Sequence, residues 1–412
     1  MANTLNLGNG NWATKEDSLL AYNSENGNFK PLPFDFTRAS SATVVNKAGL
    51  IETVGSGEPR IDFSNDAKGA LLLEPTRSNI VPYSEAFDNA YWQKSGASVT
   101  SGFVSPKGDL SAFKLVEDTS NGNHRVDTQG ISITNGVSHT FSMFFKYDNS
   151  VEWIRVREFG INAFAYFNIK DNTTGTTNLT NASEKVEDFG NGWKRVSFTY
   201  SSTTAGANFR IYLADGNNID SYQGDGTSGV YIWGAQLEQG SYATSYIPTQ
   251  GSAVTRVADV CTGAGNDTVF NSLEGVIYLE IPAINSQDNG NFISINGGSA
   301  TNGAFIRIDY GSNKVVFYYN FNNTSQGVQS AIDWDFTIDN KLAFSYEENR
   351  FVSARNGVIL GSVLSGSVAS ESTLNDFSFS NGSGAGFKGS IKNVVIENLS
   401  KTNAELIALT SL

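Results

Sequence analysis

The chain has 412 residues, of which 17% are charged, against a typical value of about 25%. Its 28 Lys and Arg against 41 Asp and Glu leave a net charge of −13, which counts against nucleic acid and anionic membrane surfaces as partners. A single cysteine, Cys261, excludes an internal disulfide framework, and two histidines, His124 and His139, exclude the common Cys/His zinc sites.

The length predicts two or three domains. Aromatic residues make up 12%, and 41 glycines stand against 8 prolines; this mixture favours many short strands joined by turns. No apolar run approaches the 18 or so residues of a membrane span, so no membrane insertion is expected. The N-terminal Met1–Gly8 stretch lacks a basic region followed by an apolar one, so the expectation is synthesis in a cytoplasm without a signal peptide.

Residues 1–84 hold five of the eight prolines and only short strand-like pieces, such as Ala70–Leu73. Alone they would bury too little to offset their ordering entropy, so they read as an attachment and oligomerisation segment without which the later domains stay folded. Residues 85–250 alternate strands with Gly/Asn/Asp turns. Phe141, Met143, Phe145 and Tyr147 share one face, as do Val196, Phe198 and Tyr200, which predicts an antiparallel sandwich. Trp193 and Trp233 are expected in its core. Residues 251–267 read as a linker, within an aromatic stretch from 239 that should strap onto a domain. Residues 268–412 form a second sandwich, with strands near 275–281, 304–310, 314–320, 341–347, 350–354, 358–363, 376–380 and 387–397. One helix closes the chain, because Thr402-Asn403-Ala404-Glu405 spells a capping box ahead of Leu406, Ile407 and Leu409. The fold class is therefore all-β: an extended N-terminal segment, two antiparallel jelly-roll sandwiches and a short C-terminal helix.

Catalytic spellings are scarce. Gly224–Gly229 reads G-x-G-x-x-G, but it precedes a strand and opens no helix, so it reads as a turn. No G-x-S-x-G, Walker A, H-E-x-x-H or EF-hand sequence occurs. Asp333 and Asp335 would share a strand face, yet alternating acids on a solvated strand are far commoner than a glycosidase pair. Jelly rolls allow structural calcium, but no spacing singles out ligands, and no other cofactor is expected.

The surface candidate is a strand with two unlike faces. In 152–158, Ile154 and Val156 share one face, and Trp153, Arg155 and Arg157 share the other. Tyr166 and Asn168 have one parity in the next strand, and Arg210 and Tyr212 in a third. On one face these seven make an aromatic and polar platform suited to sugar rings; the alternatives are a subunit interface or a solvated face.

Several segments carry resemblances. Gly275–Glu280, Lys341–Tyr346, Phe387–Val394 and the closing helix resemble laminin-G-like, concanavalin-A-like jelly rolls. Gly192–Val196 and Tyr231–Gly240 resemble carbohydrate-binding modules. Phe34–Ser40, Gly49–Glu52, Glu58–Phe63 and Leu71–Asn79 resemble bacteriophage virion proteins: fibres, spikes and head decorations, with head or tail left open. The resemblance implies a non-enzymatic protein on the virion surface that binds host or environmental glycans. It also implies a homotrimer that meets capsid or tail proteins through residues 1–84. The alternatives are a polysaccharide depolymerase and a decoration protein with no glycan ligand.

Overall fold

The computed structural model describes every residue except 1–3, 16–17, 24–27, 31–33, 180–183, 268, 284–290, 310–311, 334, 336–337 and 383–385. Its described part is nearly all β, with the single helix Asn403–Thr410. The capping box forms as spelled: Thr402 Oγ1 accepts from the Glu405 amide, and the Glu405 carboxylate accepts from the Thr402 amide. The helix buries Leu406 against Val276, Ala343 and Val352 on the outer face of a sheet.

The chain divides into two compact units, and neither is continuous in sequence. One comprises residues 1–41, 54–75 and 257–412; the other comprises 42–53 and 76–256. Residues 1–84 are thus not a separate segment but are shared between the two units. The expected linker is shared as well: Val254–Arg256 pairs antiparallel with Arg77–Asn79, and Val260–Thr262 pairs with Asp35–Thr37. Each of these strands has only three residues, too few for a sequence pattern, and its partner lies more than 170 positions away.

In the first unit, a nine-stranded sheet faces a five-stranded one. Thr4–Gly8 joins the larger sheet beside Asn393–Glu397. Leu7, Phe34, Phe36, Leu71 and Leu73 enter one core with Ile277, Phe344 and Phe377. Phe34 stacks on Phe379, with ring centroids 5.4 Å apart. The extended segments are also held by buried charge. Asp259 takes Arg38 Nη1 on Oδ1 at 2.9 Å; Oδ2 accepts from Arg60 Nη2 and, at 2.7 Å, from the Glu74 amide. Arg60 Nη1 reaches Glu74 Oε2 at 2.7 Å. Burial opposes the charge on Arg60, but Glu74 and Asp259 outweigh it and hold its pKa above the usual value. The virion-like spelling around Arg38, Arg60 and Glu74 therefore serves packing in this unit.

The second unit is a sandwich of two six-stranded antiparallel sheets. Period-two alternation sends Phe141, Met143, Phe145, Val196 and Phe198 inward to meet Ile154, Val156, Phe209 and Ile211. Trp193 and Trp233 are buried, in a second cluster with Val45, Ile51, Phe144 and Tyr246. Residues 244–247 are strapped down: Arg195 Nη1 donates to the Thr244 carbonyl at 2.7 Å, and the Ile247 amide donates to Gln236 Oε1 at 2.7 Å.

His139 is buried in this unit, and burial lowers its pKa against the opposing pull of the Val137 carbonyl. The unfolded imidazole binds a proton near pH 6.5, the folded one only at lower pH. Its stability contribution is therefore present above the unfolded value and is lost as pH falls through the folded one. The melting midpoint should be lower at pH 5.5 than at 7.5, with a shallower fall in His139→Gln; equal pH slopes in melting scans would refute the assignment.

In the first unit, strand Thr324–Asp333 ends at Asp333 and Asp335 lies beyond it, so this strand does not extend to both acids. The intervening Trp334 lies outside the described residues.

Candidate functional site

The seven platform residues come together on the outer face of one six-stranded sheet of the second unit. In Trp153–Glu158 the buried positions are Ile154, Val156 and Glu158, leaving Trp153, Arg155 and Arg157 half-buried on the other side. Antiparallel register then sets Arg155 beside Tyr166 on one neighbouring strand and Tyr212 on the other. It likewise sets Trp153 beside Asn168 and Arg157 beside Arg210. The next strand adds Arg125 opposite Tyr212 and Asp127 opposite Arg210.

The centre of this face is filled by its own side chains. Arg155 lies over Phe164, Tyr166 and Tyr212, with its guanidinium carbon 4.3, 5.5 and 5.3 Å from the ring centroids. Asp220, from the loop after Phe209–Ala214, closes the layer: Arg155 Nη1 donates to Oδ2 at 2.6 Å and the Tyr166 hydroxyl to Oδ1 at 3.0 Å. Burial, with help from Asp220, pushes the Tyr166 pKa up to about 12, so the phenol remains a donor. Tyr166 and Tyr212 are only 1% and 2% exposed, which leaves no ring face there for a ligand. Asn168 is also occupied: its Oδ1 accepts from the amides of Lys170 and Asp171 at 3.0 and 2.9 Å, which caps the turn. These three expected contact residues are supports.

The two ends of the face are open. At one end, Trp153 lines a cleft of about 510 Å³ with Glu152, Asp215, Gln223 and Asp225. Gly175 makes room for the indole: a Cβ there would stand 2.6 Å from a Trp153 ring carbon and 2.4 Å from Asn217 Oδ1. The cleft wall is the loop spelled G-x-G-x-x-G. Its Asp225 carboxylate accepts from the amides of Thr227 and Ser228 at 2.6 and 2.7 Å, and hydrogen bonds from these two residues hold it well below the usual carboxylate range. Buried Glu117 pins the same loop, accepting from the Tyr222 hydroxyl at 2.6 Å and the Asp225 amide at 2.8 Å. Glu152 is ion-paired with Lys170. At the other end stand Arg157, Arg210 and Phe159.

Arg125 and Asp127 flank Val126 on a fourth strand of this face, Arg125–Asp127, whose three residues are too few to carry a sequence pattern. Asp220 had no signal because only its folded loop brings it to the sheet, and Glu117 and Gln223 had none because they end the strands Ala112–Glu117 and Tyr222–Gln223, which only the tertiary fold brings to the cleft. Among the described residues, no three His, Cys, Asp or Glu side chains group in a metal-holding arrangement.

No protein-family model matches the chain, and no curated protein does. Among solved structures, the CBM40 module of a Ruminococcus gnavus IT-sialidase, bound to alpha2,3 sialyllactose, is 18% identical. That alignment covers 36% of this chain and 94% of the module at a TM-score of 0.29. Domains LG4-5 of the mouse laminin alpha1 chain are 13% identical over 68% of this chain and 87% of theirs, at a TM-score of 0.25. A tail fibre protein of an E. coli phage is 12% identical over 79% of this chain and 41% of its own, at a TM-score of 0.24. Likeness at this level carries no functional conclusion, which rests instead on the side chains of the face.

Proposed function

We propose that the protein is a non-enzymatic glycan-binding protein and that the Trp153 cleft receives the sugar. The observation that carries this reading is a half-buried Trp153, its indole given room by Gly175, lining a cleft whose other walls bear Glu152, Asp215 and Gln223. Sugar rings present C–H faces that stack on an aromatic ring, while their hydroxyls donate to carboxylates and exchange both kinds of hydrogen bond with an amide. The cleft is prebuilt, since Asp225 and Glu117 fix its loop without a ligand, and preorganisation lowers the ordering cost of binding.

The wider setting proposed is display on a virus particle, as a homotrimer that meets head or tail proteins. Its support is the sequence resemblance. Structural calcium also stays a proposal, to be read from a melting shift on adding a chelator.

A glycan array followed by titration tests the reading. Trp153→Ala should weaken binding at least about tenfold, equivalent to about 1.4 kcal/mol, with the melting midpoint nearly unchanged. Unchanged affinity would refute the cleft, and reducing ends released by pure protein would replace binding with hydrolysis.

A further inference from the structure

The far end of the same face has a charge arrangement that folding alone does not account for. Arg157 and Arg210 are direct cross-strand partners, and like charges placed opposite each other destabilise a sheet. The other arginines of this face are matched. Arg155 has Asp220 at 2.6 Å, and Arg125 Nε donates to both oxygens of Asp127 at 3.1 Å. Arg210 reaches Asp127 only at 3.7 Å, on the carboxylate that Arg125 already holds. Arg157 makes no salt bridge and no hydrogen bond among the described residues, and its Nε is buried without an acceptor.

The nearest acid in sequence, Glu158, does not relieve this charge. It points to the opposite face and spends its carboxylate on the amides of Gly160, Ile161 and Asn208, at 3.0, 2.8 and 2.9 Å. Those three bonds fix the turn that carries Phe159. The Phe159 ring lies between the two cations, 3.4 Å from the Arg210 guanidinium carbon and 5.0 Å from that of Arg157, yet stays 44% exposed. The result is two guanidinium groups held by a shared, accessible ring, with the one carboxylate of Asp127 set against Arg125, Arg157 and Arg210 and so short of two negative charges, on a chain whose net charge is −13. Guanidinium groups present parallel N–H donors that match carboxylate and sulfate oxygens.

We propose that Arg157 and Arg210, with Phe159 between them, form a subsite for an anionic substituent of the glycan, so that the preferred ligand is an acidic oligosaccharide. This rests on the glycan reading above. Trp153 and Arg157 lie four residues apart on one strand, about 13 Å at a rise of about 3.3 Å per residue. The acidic walls of the Trp153 cleft disfavour an anion there, so the face is polarised: an uncharged ring at Trp153 and the charged one at Arg157.

The test is titration of the full chain with oligosaccharides of one backbone in neutral, uronate-bearing and sulfated forms, at low and high salt. Wild type should bind an acidic form about tenfold more tightly than the neutral one, and salt should erase the difference. Arg157→Gln and Arg210→Gln should remove that preference and leave neutral binding as it was, with the melting midpoint held or raised, since either change relieves the like-charge pair. The uronate and sulfate arms show which anion is preferred. Equal affinity for neutral and acidic forms in wild type overturns the proposal, as does equal loss of both in the arginine variants or no binding of any acidic form at millimolar concentration. Trp153→Ala separates this outcome from the earlier reading: unchanged neutral binding there refutes the cleft, whatever the arginines do.

Discussion

A chain lacking residues 1–84 is expected not to fold. The deletion strips Leu7, Phe34, Phe36, Leu71 and Leu73 from the core of the first unit, and Val45 and Ile51 from the tryptophan cluster of the second. At roughly 1.5–3 kcal/mol for each buried large apolar side chain, the five losses in the first unit alone come to roughly 7–15 kcal/mol. That matches the whole stability of an ordinary domain, roughly 5–15 kcal/mol. Removing Thr4–Gly8 also bares the Asn393–Glu397 strand, and losing Arg38 and Arg60 strands the Asp259 carboxylate in the interior. Circular dichroism of the truncated chain should show no cooperative melt. A sharp transition near that of the full chain would return residues 1–84 to the role of a detachable segment.

Asp259→Ala should be the most damaging point change in the first unit. Arg38, Arg60 and Asp259 have fully buried side chains, so the substitution leaves two guanidinium groups facing a void where their shared acid stood, with Glu74 still beside Arg60. Breaking a buried pair by removing one partner typically costs about 3–5 kcal/mol, because the surviving charge is left without compensation. Two cations share this partner, so the loss should reach at least the upper part of that range. Urea unfolding should show the midpoint of the first unit falling while the second keeps its own. A loss under about 1 kcal/mol would mean that the cluster is solvated in solution. Asp259→Asn keeps one of the two acceptor oxygens without the charge and sets an NH2 group against the other donors, so its loss should fall between wild type and Asp259→Ala.

The sequence carried the β class, six of the strands between 275 and 363 though not Asn291–Asn296 or Thr324–Asp333, and the capping box, since these depend on period-two alternation and on contacts between near neighbours. It also carried the parity of the seven platform residues, because a strand side chain has only two sides to choose from. Three matters were left to tertiary structure. The division of the chain rests on three-residue strands pairing across more than 170 positions, and such strands are too short to leave a pattern. The role of Arg38, Arg60 and Glu74 depends on Asp259, an unremarkable acid in sequence that becomes the centre of a buried ion cluster. The accessibility of the platform depends on Asp220, whose loop closes over Arg155 and Tyr166 and turns the middle of the face into packing. Parity tells which side of a sheet a residue occupies, but only the folded loops decide whether that side meets solvent, and here they leave Trp153 at one end and Arg157 with Arg210 at the other.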